Sequence, residues 1–286
     1  MLPLASKQRL DQELVVRGLV ISRQQAQQLI RAGRVRSGDR VLDKPGTAVT
    51  PGLPLVVALP PRFVSRGGDK LEAALTAFPM AVEGRVCLDG GISTGGFTDC
   101  LLQRGAARVY GIDVGYGQTA WGLRQDPRVV LKERTNLRHL LPEQLYGPED
   151  PHPDLAVADV SFISLALVLP ALMRLLQPQH QTRLGWRDLV LLVKPQFEVG
   201  RARVGRGGVV RDRDAHADAI NGVITAAQRL ALVPSGLVAS PIRGPAGNHE
   251  YLLWLQDGSG QGSEQQPGAA AMTAETVALV VNQTLG

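Results

Sequence analysis

Residues 86–100, VCLDGGISTGGFTDC, constrain the fold of this 286-residue chain more than any other stretch. A short apolar run (Val86, Cys87, Leu88) ends in Asp89, and the turn Gly90-Gly91-Ile92-Ser93-Thr94-Gly95-Gly96 leads into a helical stretch. A buried strand running through a tight turn into a helix N-terminus is the first unit of a doubly wound α/β sheet. Glycines there let backbone N–H groups approach a ligand closely, and the helix start favours its negative end. The spacing is not the dinucleotide fingerprint G-x-G-x-x-G, because Ile92 and Ser93 stand where that pattern needs glycine. A nicotinamide oxidoreductase is a poor reading on that ground.

The chain from Gly84 onward repeats the pattern. Strands are expected at 85–89, 108–113, 128–132, 155–159, 189–194, 235–240 and 250–255, with helices near 96–104, 117–124, 164–177 and 214–231. Apolar strands alternating with amphipathic helices imply an α/β domain, 84–286, whose seven-stranded and mostly parallel sheet is covered on both faces. Residues 258–270, GSGQGSEQQPGAA, read as a flexible spacer, and a last helix near 274–285 is expected to pack back on the sheet. Residues 61–83 form a linker that opens on Pro60-Pro61 and runs into a helix carrying Lys70.

Residues 1–60 are a different module. Through residue 61 the chain holds nine Lys/Arg against four Asp/Glu, and the remaining residues hold twenty-two of each. The whole surplus of +5 therefore sits in the N-terminal fifth, as in a basic module that docks on polyanion. Ser6 is expected to cap a first helix that ends at Gly18, and Ser22 to cap a second helix with Gln25 in a capping box. Arg23, Arg31, Arg34 and Arg36 line that second helix and its exit, and a hairpin follows with Val35 and Val41 inward. The segment RLDQELVVRGLVISRQQAQQLIRAGRVRSGDRV resembles the S-four RNA-binding domain, a small α+β module found in a ribosomal protein and in pseudouridine synthases. Arginines on one helix edge suit phosphate contacts that position RNA without reading its sequence.

Ligands of a doubly wound sheet bind beyond the carboxyl ends of its strands. That rule selects Asp89 with the glycine turn, Asp113 after the second strand, Asp159 after the fourth and Lys194 after the fifth. Asp113 stands where a carboxylate can accept both hydroxyl hydrogen bonds of a ribose. Lys194 follows five apolar residues, and burial there favours a lysine that takes or orients a hydroxyl proton. The turn, with Ser93, Thr94, Gly95, Gly96 and Phe97, resembles the first motif of S-adenosylmethionine (SAM) methyltransferases. Lys70, Asp159, Lys194 and Glu250, in the order K–D–K–E, resemble the tetrad of FtsJ-type ribose 2′-O-methyltransferases. The strings SRGGDKL, LDGGISTGGFTDCLLQ, ADVSFISL, VKPQFE and NHEYLLWL narrow the match to the TlyA/haemolysin-A-like rRNA methyltransferases, over residues 6–256.

That resemblance implies SAM-dependent methylation of a cytidine ribose 2′-hydroxyl in ribosomal RNA. Lys194 is then the group that deprotonates or orients the hydroxyl, Asp159 its carboxylate partner, and Lys70 and Glu250 the rest of the charge network. Asp89, Gly90, Gly91, Ser93, Thr94, Gly95, Gly96, Phe97, Asp113, Asn136 and Asp159 would hold SAM, and Arg62 and Arg66 would join the RNA contacts. The chain departs from the family at Gly90-Gly91-Ile92, where Gly-Ala-Ser is expected, and at Arg62-Phe63-Val64-Ser65, which differs from a tryptophan-containing form. Arg206–Asp212 is expected to be a mobile substrate-side loop.

The remaining features are exclusions. The two cysteines read as core residues of a reducing compartment, the five histidines show no ligand spacing, and no metal is assigned. No signal peptide opens the chain, and no apolar run reaches the roughly 20 residues of a bilayer span. A cytoplasmic monomer without a membrane partner is expected. Two other readings stay open, a non-catalytic rRNA-binding assembly factor and a haemolysin-like membrane-active protein.

Overall fold

The computed structural model describes residues 7–176, 186–257 and 272–286. They fall into two compact units, split between Pro61 and Arg62. The expected cap Ser6 and the 258–270 spacer lie outside the described residues.

The N-terminal unit is built from β1 (Gln8–Arg9), α1 (Leu10–Val16), α2 (Arg23–Arg31), β2 (Val35–Ser37), β3 (Arg40–Val41), β4 (Ala48–Val49) and β5 (Val56–Val57). The first helix starts later than expected because Gln8 and Arg9 are extended and pair with Val49 and Ala48. Ser22 caps α2 as expected, its hydroxyl accepting from Gln25 N at 3.2 Å. Leu10, Leu14, Ala26, Ile30 and Val35 form a small core of their own. The hairpin register differs from the expectation by one residue. Arg36 pairs with Val41, so Leu42 shares the inner face with Val35 and is buried, while Val41 points out and is 40% exposed.

The second unit follows as α3 (Gly67–Ala77), β6 (Val86–Gly90), α4 (Gly96–Gln103), β7 (Arg108–Ile112), α5 (Trp121–Gln125), β8 (Val129–Lys132), α6 (Pro142–Leu145), β9 (Leu155–Ala158), α7 (Leu165–Leu175), β10 (Asp188–Val193), α8 (Pro195–Glu198), α9 (Arg213–Gln228), β11 (Leu232–Ala239), β12 (Tyr251–Asp257) and α10 (Ala274–Leu285). The seven strands of its sheet lie in the order β11-β12-β10-β9-β6-β7-β8. All neighbours are parallel except β12, which is antiparallel to both β10 and β11.

Strand alternation explains the two-sided core. Leu189, Leu191 and Val193 of β10 enter the cluster under α7, α9 and α10, while Val190 and Leu192 enter the one under α3 and α4. Helix α5 is shorter than expected. Gly117 has φ +75°, and Ala120 N donates to Thr94 O at 3.0 Å, so 117–120 is a loop held against the glycine turn.

This topology decides which residues meet. Asp89-Gly90, Asp113, Asp159 and Lys194 end or follow β6, β7, β9 and β10, four parallel strands, and so share one edge of the sheet. Glu250 precedes β12, whose reversed direction brings its start, Tyr251, opposite Val193. A residue before an antiparallel strand thus reaches the same edge as one after a parallel strand.

Candidate active site

The glycine turn is shaped by backbone conformations that side chains resist. Gly91 has φ +88°, and a Cβ there would meet the Asp159 carbonyl oxygen at 2.8 Å. Gly95 caps α4 with φ +100°, and a Cβ on it would run into Leu123. Ser93 also has a positive φ, 48°, and its N–H donates to Asp113 Oδ2 at 2.7 Å. Gly115 N donates to the other oxygen of Asp113 at 2.7 Å. Asp113 is thereby aimed by two backbone donors, and each oxygen keeps a lone pair for a ligand.

Two ion pairs stand beside the turn. Lys70 Nζ donates to Glu250 Oε2 at 2.6 Å, and both side chains are buried. Lys194 Nζ lies 2.6 Å from Asp159 Oδ1 but donates its well-angled hydrogen bond to Ser161 Oγ, at 2.8 Å. Asp159 Oδ1 is buried and makes no hydrogen bond, so its contact with Lys194 is ionic. An ammonium has three donor directions. Ser161 takes one by a hydrogen bond, Asp159 faces the charge at 2.6 Å, and a donor direction remains for a third group.

Two cavities meet at this point. One of about 200 Å³ is lined by Arg66, Lys70, Gly91, Ser93, Thr94, Gly96, Phe97 and Asp159. The other, about 470 Å³, is lined by Gly91, Ser93, Asp113, Asn136 and Asp159, with Ile112, Val114, Val160 and Ile163 as apolar wall. Gly91, Ser93 and Asp159 belong to both. The larger has the chemistry of a nucleoside site: apolar walls with a carboxylate and an amide among the lining groups.

Asp89 lies behind the turn and is fully buried. Thr98 Oγ1 donates to its Oδ2 at 2.7 Å, and Oδ1 has no hydrogen-bond partner. Burial, with the nearby charges of Asp159 and Asp113, pushes its pKa up to about 7, against the Thr98 hydrogen bond. Gly90 is in neither cavity lining and packs under Leu137, where a Cβ would come within 2.8 Å.

The other expected residues divide. Asn136 lines the larger cavity, and its Oδ1 is already used as a cap, accepting from Arg138 N at 3.1 Å. Arg66 is exposed and lines the smaller cavity. Arg62 is held by Glu72 at 2.8 Å and lies over the Phe63 ring at 4.8 Å. In the N-terminal unit Arg23 is likewise held, by the buried Asp11 at 3.0 Å, whereas Arg31, Arg34 and Arg36 are exposed and unpaired among the described residues.

Sequence reasoning missed Ser161 and its neighbour Phe162. Phe162 is 90% exposed with φ +64°, and its ring stands 5.1 Å from that of Phe197. Both residues lie within three positions of Asp159, in the string ADVSFISL. The 206–212 segment, expected to be mobile, is anchored at its base. Asn248 Oδ1 accepts from Val210 N at 2.9 Å, and its Nδ2 donates to Gly208 O at 2.8 Å.

Gly91→Ala tests the turn. The methyl group would need both a left-handed backbone, costing about 1–2 kcal/mol, and a shift of the Asp159 carbonyl. Calorimetry on the variant is expected to give at least a tenfold loss of SAM affinity, about 1.4 kcal/mol. Unchanged binding would remove the turn from the ligand site.

Comparison with known proteins gives concordant matches. The FtsJ-like methyltransferase family model matches residues 63–257, and the S4 domain model matches residues 8–54. The 16S/23S rRNA (cytidine-2′-O)-methyltransferase TlyA of Mycobacterium tuberculosis is 53% identical, over 88% of this chain and 91% of its own length. YqxC of Bacillus subtilis is 48% identical over 92% of this chain and 91% of its own. A solved structure from Streptococcus thermophilus that carries the name hemolysin superposes with a TM-score of 0.69 and 38% identity, covering 98% of this chain and 96% of that one.

Proposed function

The chain belongs to the FtsJ-like methyltransferases that carry an S4 domain, and on that premise we propose that it moves the methyl group of SAM to a cytidine ribose 2′-hydroxyl of ribosomal RNA in assembled subunits. One observation carries the reading. Lys70 and Asp159, each paired with another member of the K–D–K–E set, line one cavity with the glycine turn.

The residues present fit SAM. Its cationic groups suit a site where the Asp159 carboxylate lines both cavities and the Asp113 carboxylate lines the larger. Asp113 and Asn136 line a cavity with apolar walls for the nucleoside, and Gly91 lets the turn pass close against the Asp159 carbonyl at the cavity wall. When bound, SAM supplies an electrophilic methyl on a sulfonium.

The chain's own residues supply the other half. In its neutral form Lys194 aims a lone pair at the 2′-hydroxyl and takes its proton as the oxygen attacks; in its ammonium form it donates to that oxygen and orients it. Asp159 and Ser161 fix the ammonium, which places it in line and lowers the entropy cost of the step. Lys70 and Glu250 neutralise one another, so no unpaired ion is buried beside the reacting atoms. Exposed Arg31, Arg34 and Arg36 hold RNA through its phosphates. The protein acts as a cytoplasmic monomer. Among the described residues no helix is long and apolar enough to cross a membrane.

Labelled SAM with unmodified small and large subunits tests the reading. Label is expected in RNA that resists alkaline cleavage at one cytidine. Binding of SAM and subunits with no label transferred would replace the proposal by the assembly-factor reading.

A further inference from the structure

Residues 199–213 run from the end of α8 into α9 and hold five arginines against one carboxylate, Asp212. Two of the five are spent within the fold. Arg203 pairs with Asp212 at 3.0 Å and Asp218 at 2.5 Å, and Arg213 donates to Asn282 at 3.3 Å. Arg201, Arg206 and Arg211 are exposed and have no hydrogen-bond or ion-pair partner among the described residues. Arg243 is in the same state on the segment that leads to Glu250.

These four guanidiniums sit on backbone that is tied to both halves of the tetrad. The first segment follows α8, the four-residue helix whose N-cap is Lys194. Asn248, 1% exposed, then laces the two segments together. Its side-chain amide holds Val210 N and Gly208 O, and its own carbonyl accepts from Gly244 N at 2.9 Å. Gly244 in turn lies so close to Glu250 that a Cβ would fall 2.5 Å from Oε1. Unpaired arginines on an anchored frame lose less freedom on binding than arginines on a free loop, and a guanidinium fork matches phosphate oxygens.

We propose that Arg201, Arg206, Arg211 and Arg243 form an apron on the methyltransferase unit that grips the phosphates flanking the target nucleotide. This rests on the RNA-methylation reading and assigns the face of that unit that takes the RNA. Arginines of the N-terminal unit would hold the particle, and the apron would hold the strand at the reacting atoms.

The test is binding of the full chain to unmodified ribosomal subunits as a function of salt, wild type against Arg→Gln at all four positions. Each phosphate contact adds about 0.7–0.9 to the slope of log affinity against log salt, so the variant is expected to lose about 3 from the slope. It should also show a raised KM for subunits, with SAM affinity and melting temperature unchanged. An unchanged slope and KM in a variant that still binds SAM would overturn the apron and leave the reaction standing. Failure of the wild type to bind subunits at any salt would overturn the RNA reading, and the apron with it.

Discussion

Lys194→Ala should slow methyl transfer by about 10²–10⁴-fold, the usual contribution of a positioned proton-transfer group, while SAM affinity changes only a few-fold. The asymmetry follows from geometry. Asp159 lines both cavities, whereas Lys194 touches them only through Asp159 and Ser161. Loss of the ammonium therefore leaves the cavity walls in place and removes the group that the proposed reaction aims at the hydroxyl. Lys194→Arg separates the two roles open to the lysine. An arginine keeps the charge and cannot act as a base at neutral pH. A rate for Lys194→Arg within about tenfold of wild type would mean orientation by charge; a loss equal to that of alanine would mean proton transfer or a geometry only lysine meets. Single-turnover rates at saturating SAM and subunits give both comparisons. Wild-type rates in Lys194→Ala would remove the residue from the mechanism.

The site was legible in the sequence to the extent that strand ends are legible. Asp89, Asp113, Asp159 and Lys194 follow apolar runs that can only be buried strands, and the parallel rule then sends them to one edge. Glu250 was harder, since it precedes its strand, and only the reversed direction of β12 explains why it meets Lys70. What stayed hidden depends on which charges face each other across the fold. Arg62 and Arg23 look like free RNA contacts in the sequence, yet Glu72 and Asp11 sit opposite them. Val41 was misplaced because a hairpin shifted by one residue exchanges its faces, and turn composition does not fix the register. Ser161 was hidden because a serine beside a predicted carboxylate has no periodicity to betray it.

The same hidden layer holds the opposite edge of the sheet together, and there the largest stability effect is expected. Arg85 precedes β6, Asp154 precedes β9 and Asp188 opens β10, so three neighbouring parallel strands start on one charge cluster. Arg85 donates from Nε to Asp154 Oδ1 at 2.8 Å, from Nη1 to Asp188 Oδ2 at 2.6 Å and from Nη2 to the Asp154 carbonyl at 2.7 Å. Trp254 Nε1 completes Asp188 at 2.8 Å. All three charged residues are buried. Burial by itself would lower the Arg85 pKa, but Asp188 and Asp154 outweigh it and hold the guanidinium charged. Arg85→Met keeps the volume and strands two carboxylates in the dry interior. Removing one partner of such a cluster costs about 3–5 kcal/mol, or about 6–20 °C in melting temperature for a unit of this size. Adding Asp154→Asn and Asp188→Asn should recover part of the loss. Melting curves of the three proteins at pH 7 decide the matter: a deficit under about 1 kcal/mol, or no recovery in the triple variant, would mean that water or backbone rearrangement replaces the guanidinium. Because the cluster lies at the far edge from Lys194, folded Arg85→Met should bind SAM as the wild type does, so stability and chemistry are held at opposite ends of the same strands.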